Sequence, residues 1–148
     1  MDFDIIYIYT DGSKISTVKS VSSASYCSQL NTQILNSINT NASIYTAECL
    51  AISLAIDNAI KIALENKNKN VTIVCDSLSA LEALGNPKIS VKTNPIIFEI
   101  RQKIYKFKTI NNHNNDINFL WIPSHKGIIN NEIVDNLAKI ATESEPTV

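Results

Sequence analysis

The sequence has no surplus of basic charge. Its 13 Lys and Arg are balanced by 14 Asp and Glu, for a formal net charge of -1. A dedicated non-specific nucleic-acid binder carries a basic field, so any grip on phosphates here must come from local groups or bound cations. It also lacks the means for a disulfide framework or a zinc site. Cys27, Cys49 and Cys75 are odd in number, far apart and set in apolar stretches, and the chain holds only two histidines. They read as reduced core residues in an intracellular, reducing compartment. No apolar run approaches the length of a membrane span, and no basic segment followed by an apolar stretch marks a signal peptide. No internal repeat is visible.

What is present describes an ordinary globular chain: 148 residues, 45 % hydrophobic and 18 % charged. That length buries one sizeable core and makes a second unlikely to be supported. The expected organisation is one domain over 1–143 and a polar tail over 144–148, with a late proline, of the kind found at frayed ends and linkers.

The first apolar run, Ile5-Ile6-Tyr7-Ile8-Tyr9-Thr10, is β-branched and aromatic and reaches Asp11-Gly12-Ser13. It predicts a strand buried on both faces that ends with Asp11 on the rim of a sheet, Gly12 permitting a turn or a close backbone approach. Looser alternation predicts further antiparallel strands over 23–27 and 32–38, with a polar connection over 14–21. At Ser43 the period becomes helical: Ala47, Leu50, Ala51, Leu54, Ala55 and Ile62 predict a long buried helix over 44–64, with Ser43 as N-cap and the Asn/Lys run 66–70 as its end. Val71 to Cys75 repeats the pattern of the first run and delivers Asp76 to a strand end. Helices follow over 77–84 and 94–108, then a strand over 117–122, broken by Pro123, and a last helix over 131–142. This order implies an α/β fold: a mixed five-stranded sheet, three antiparallel strands then two parallel, flanked by helices.

Four acids, Asp11, Glu48, Asp76 and Asp135, lie in or at the ends of apolar elements. Each has a bland reading taken alone: Asp76 could cap a helix, Asp135 could pair with Lys139 one turn on, and Glu48 could pair locally. Together they point to a shared site, because buried carboxylates need positive partners and adjacent cations are few. Ligation by oxygen alone suits Mg²⁺ or Mn²⁺, and a set of this size could hold two ions, the arrangement used for in-line phosphodiester displacement.

The ordered segments Tyr9-Thr10-Asp11-Gly12-Ser13, Tyr45-Thr46-Ala47-Glu48-Cys49-Leu50-Ala51-Ile52, Val74-Cys75-Asp76-Ser77-Leu78-Ser79-Ala80-Leu81, and Trp121-Ile122-Pro123-Ser124-His125-Lys126-Gly127 with Asn131-Glu132-Ile133-Val134-Asp135 resemble type 1 ribonuclease H. The resemblance is to the ribonuclease H domains of non-LTR retrotransposon polyproteins in particular and runs over about residues 4–143. It implies a ribonuclease H-like fold and a two-metal endonuclease that cuts the RNA strand of RNA–DNA hybrids, leaving 3′-hydroxyl and 5′-phosphate ends. Asp11 would bridge two Mg²⁺ ions, with Mn²⁺ as substitute; Glu48 and Asp76 would serve one ion and Asp135 the other. His125 would assist proton transfer or product departure, and Gly12, Ser13, Ser77 and Asn131 would lie against substrate. His113, in an Asn-rich loop, carries no such implication.

Relative to cellular members, Ser22, Ser23 and Ala24 stand where glycines are common, and no strongly basic protrusion lies between 86 and 103. The expected partners are therefore a hybrid and a reverse transcriptase domain of the same polyprotein that supplies affinity, with no membrane and a monomeric state. Two other readings compete: a non-catalytic hybrid-binding or spacer domain, and a metal-dependent nuclease of the same fold acting on DNA or structured RNA.

Overall fold

The computed structural model describes residues 4–15, 20–38, 41–86, 94–110, 115–124 and 126–142; His113, His125 and the polar tail lie outside the described residues. The elements run β1 (Ile5–Ile15), β2 (Ser20–Cys27), β3 (Thr32–Ile38), α1 (Ile44–Glu65), β4 (Asn70–Cys75), α2 (Leu78–Gly85), α3 (Pro95–Ile110), β5 (Ile117–Trp121) and α4 (Ile129–Ala141). The strands form one sheet in the order β3-β2-β1-β4-β5. β1 pairs antiparallel with β2 and β2 with β3, while β4 runs parallel to β1 and β5 parallel to β4. The mixed α/β architecture expected from the pattern is the one observed.

The main core lies between the sheet and α1, α2 and α3. It is built from Ile6 and Ile8 of β1, Val71 and Ile73 of β4, Ile52 and Ile56 of α1, and Ile97, Ile100 and Phe107 of α3. α1 can lie close to the strands because Ala47, Ala51, Ala55, Ala59 and Ala63, four residues apart, make a ridge of small side chains, all at most 1 % exposed. Its start is capped by Ser43, whose Oγ accepts from the Thr46 amide at 3.0 Å. At its end the Asn115 amide donates to the carbonyl of Ala63 at 2.7 Å, and the Asn66 side chain donates to that of Ile62 at 2.8 Å, so the terminal carbonyls keep partners.

On the opposite face α4 packs Val134 and Ala138 against Ala24, Tyr9 and Tyr26. Two serines of β2 hold it there: Ser22 Oγ donates to the carbonyl of Ala138, and Ser20 Oγ to that of Thr142.

Three expectations need correction. β1 does not stop at Asp11 but continues to Ile15, because 11–15 find antiparallel partners in 20–24 of β2, and Lys14, Ile15, Ser20 and Val21 of the expected polar connection belong to strands. Asp11 is therefore interior to a strand. Nor is β1 buried on both faces along its length: Ile5 and Tyr7 are exposed because α4 lies over the later part of the strand. The last helix also begins at Ile129, two residues before the expected 131.

Gly12 is where the two layers come closest. A Cβ added there would sit 2.7 Å from the Glu48 amide nitrogen and 2.9 Å from Ala47. Its use is close approach, the second of the two roles the sequence allows. Because the obstacle is helix backbone, Gly12→Ala should cost about 1–3 kcal/mol in urea denaturation, whereas Gly85→Ala, which meets nothing within 4 Å, should be neutral or stabilising by about 0.4–1 kcal/mol. Equal stability of the two variants would contradict the packing described.

Candidate metal centre

The site is assembled by register. Thr10 of β1 pairs with Cys75 of β4 in the parallel ladder, so the next residue on each strand, Asp11 and Asp76, emerge side by side. Parallel neighbours advance together, and this alone brings the two carboxylates to one end of the sheet. Thr10 supports the pairing from beneath, its hydroxyl donating to the Val74 carbonyl at 3.4 Å. The close contact at Gly12 then sets the second turn of α1, and with it Glu48, against the same point.

A carboxylate oxygen from each of Asp11, Glu48 and Asp76 lies within 4.8 Å of the others, a group that could hold a metal ion. Asp11 is 5 % exposed and the other two are partly buried. Asp135 approaches from α4 closely enough to share a hydrogen bond with Asp11. It is also paired with Lys139, Nζ to Oδ2 at 2.9 Å, the partner one turn on that the sequence had offered as its bland reading. The local pairing of Asp135 therefore coexists with its contact to Asp11.

Neighbouring groups fix the acids. Ser77, not Asp76, is the N-cap of α2: its Oγ accepts from the Ala80 amide at 3.4 Å. Ser77 also hydrogen-bonds Glu48. Trp121 Nε1 donates to the Asp76 carbonyl at 3.2 Å, a contact that sequence reasoning missed because it joins ends of two parallel strands 45 residues apart. The Gly12 amide donates to Asp11 Oδ1 at 2.9 Å.

Of the other residues expected against substrate, Ser13 is buried beyond Asp11 on β1, and Asn131 is only 3 % exposed on the first turn of α4, with its Oδ1 lacking a hydrogen-bond partner among the described residues. His125 lies outside the described residues.

Burial, with Asp76, Asp135 and Glu48 close by, pushes Asp11 from 3.8 up to about 9. Burial and the charge of Asp76 push Glu48 from 4.5 up to about 7, against the hydrogen bond from Ser77 that favours its ionised form. These are acids waiting for a counterion. The donor set fits one: three oxygen ligands, converging, partly desolvated and repelling one another.

A family model described as RNase H matches residues 4–143. The chain is also 37 % identical over 90 residues to the Pol polyprotein of equine infectious anemia virus, in isolates 1369 and CL22 and in strain Wyoming, a stretch covering 57 % of this chain. The match spans only 7 % of the length of those polyproteins.

Raised carboxyl groups make the metal-free fold sensitive to base. Between the unfolded values near 4 and the folded values near 7 and 9, the folded state binds more protons than the unfolded one, so stability falls as pH rises through that window. In EDTA, Tm should be lower at pH 8.5 than at pH 5.5, and Asp11→Asn should flatten the decline; a Tm that rises over this range in the parent protein would contradict the assignment.

Proposed function

Because the chain belongs to the ribonuclease H family, we propose that it is a divalent-metal-dependent endonuclease that hydrolyses the RNA strand of RNA–DNA hybrids, leaving 3′-hydroxyl and 5′-phosphate ends. The observation that carries this reading is the convergence of Asp11, Glu48 and Asp76 within one metal-ligand radius. Magnesium, with manganese as substitute, suits a set made only of carboxylates among the described residues. Asp11, Glu48 and Asp76 would hold one ion, and Asp11 with Asp135 a second. Bound there, the ions supply Lewis acidity toward phosphoryl oxygens and an acidified water for in-line attack.

The chain's own contribution is to orient and to desolvate. The burial of Asp11 keeps bulk water from its carboxylate, so charges placed beside it act in a low dielectric. Ser77 aims Glu48, Trp121 anchors the backbone at Asp76, and Lys139 holds the rotamer of Asp135. His125, on the segment between β5 and α4, would move a proton or assist product departure.

A net charge of -1 gives such a domain little general attraction for nucleic acid. The affinity is supplied by tethering, with a reverse transcriptase domain of the same polyprotein presenting the hybrid during reverse transcription in a retroelement. The polyprotein relatives are consistent with that arrangement.

The test is cleavage of a labelled RNA–DNA hybrid in Mg²⁺. The expected result is loss of activity in EDTA, no cutting of the same RNA as a single strand, and a fall of at least about 100-fold in kcat for Asp76→Asn. Full activity of Asp76→Asn would contradict the site. Lack of cleavage by a parent protein that still binds hybrid would favour a non-catalytic module, and equal cutting of duplex DNA or structured RNA a broader nuclease.

A further inference from the structure

Beside the carboxylates lies a cleft of about 560 Å³ between the later part of β1 and α4, lined by Ser13, Lys14, Ile15, Asn136, Lys139 and Ile140. None of these residues is acidic, and two are lysines, one on each wall. In a chain whose net charge is -1, this places two basic side chains near the converging acids.

Lys14 is exposed and makes no ion pair among the described residues. Lys139 is held at the boundary of the two regions, bonded to Asp135 at 2.9 Å while its side chain remains 56 % exposed. Ser13 and Asn136 add a hydroxyl and an amide. Ser13 follows Asp11 by two residues on the same face of β1, so the cleft opens roughly 7 Å along the strand from the Asp11 carboxylate. Asn136 and Lys139 follow Asp135 within one helical turn, about 6 Å along α4. Both displacements approximate one nucleotide step along a nucleic-acid backbone.

We infer that this cleft is a phosphate subsite: Lys14 and Lys139 grip the backbone phosphate next to the scissile one on the strand being cut, with Ser13 and Asn136 as hydrogen-bonding partners. The inference rests on the nuclease reading for the identity of the strand, but the binding of a backbone phosphate does not depend on catalysis. It supplies a local grip to a domain with no basic field of its own. It also sets the register of the strand over the acids, because residues of two separate elements line the one cleft.

The experiment is binding of a fluorescent RNA–DNA hybrid in EDTA by the parent protein, Lys14→Ala, Lys139→Ala and Lys14→Arg. Each alanine variant should bind about 5- to 10-fold more weakly at low salt, with the slope of log K against log salt shallower by about one; Lys14→Arg should restore most of the loss. A neutral methylphosphonate, moved singly along the RNA strand, should weaken the parent at one position by a similar factor and cost Lys14→Ala nothing further at that position. Lys14 is the decisive variant because it does not touch the acids.

Unchanged affinity in Lys14→Ala, or a methylphosphonate penalty equal in parent and variant, overturns the subsite. Inorganic phosphate is the control for a generic anion site: if it raises the Tm of the parent but not of Lys14→Ala, while hybrid affinity is equal in both, the backbone assignment is overturned. With Mg²⁺ present, Lys14→Ala should raise KM by the same factor at unchanged kcat. A protein that shows the lysine-dependent binding yet never cuts would refute the nuclease reading while supporting the cleft.

Discussion

The repulsion among Asp11, Glu48 and Asp76 is the constraint to which the rest of the structure answers. Three carboxylate oxygens within 4.8 Å of one another oppose folding unless protons or cations join them. What forces them together is apolar burial. The Thr10–Cys75 register is held by a ladder whose side chains fill the core, and α1 is drawn onto β1 by its alanine ridge over Gly12. The hydrophobic layer thus stabilises an electrostatic arrangement that is unfavourable by itself. A bound cation would relieve the stored repulsion, and the folding energy of the sheet would then be converted into metal affinity.

The two faces of the sheet divide the work. The α1 face supplies packing and delivers Glu48. The α4 face is thinner, tied down by the hydroxyls of Ser20 and Ser22 to carbonyls near the helix end, and it delivers Asp135 and Lys139. A helix fastened by side-chain hydroxyls and a small apolar cluster can adjust more readily than one sunk in the main core. The rigid side therefore holds the three acids that converge, and the lightly fastened side brings the fourth, together with a lysine that partners it and borders the cleft against β1.

Much of this was legible in the residues. Helical period with a Ser43 cap located α1 to within a residue of its end and a β-branched run located β4, because these elements are buried and their periodicity is undiluted, while looser alternation located the half-exposed β3. The acids stood out because each interrupts an apolar element. What misled was Asp11-Gly12-Ser13, whose turn-forming composition concealed a strand: the small residues serve the approach of α1, a tertiary demand invisible locally. Exposure of Ile5 and Tyr7 was likewise unreadable, since it depends on how far α4 extends over the sheet. Contacts between distant segments, such as Trp121 with Asp76, and the cleft that Lys14 and Lys139 both line, have no period to betray them. The i to i+4 spacing of Asp135 and Lys139 was the one local hint, and it signalled the pair without the cleft beside it.

The central claim, that divalent ions replace protons on converging acids, is tested most directly by calorimetric titration of Mn²⁺ at pH 7 in buffers of differing ionisation enthalpy. With Asp11 raised to about 9 and Glu48 to about 7, binding must release protons, so the observed enthalpy should depend on the buffer, and that dependence should shrink in Asp11→Asn. Absence of binding, or binding whose enthalpy is the same in every buffer, would contradict the account.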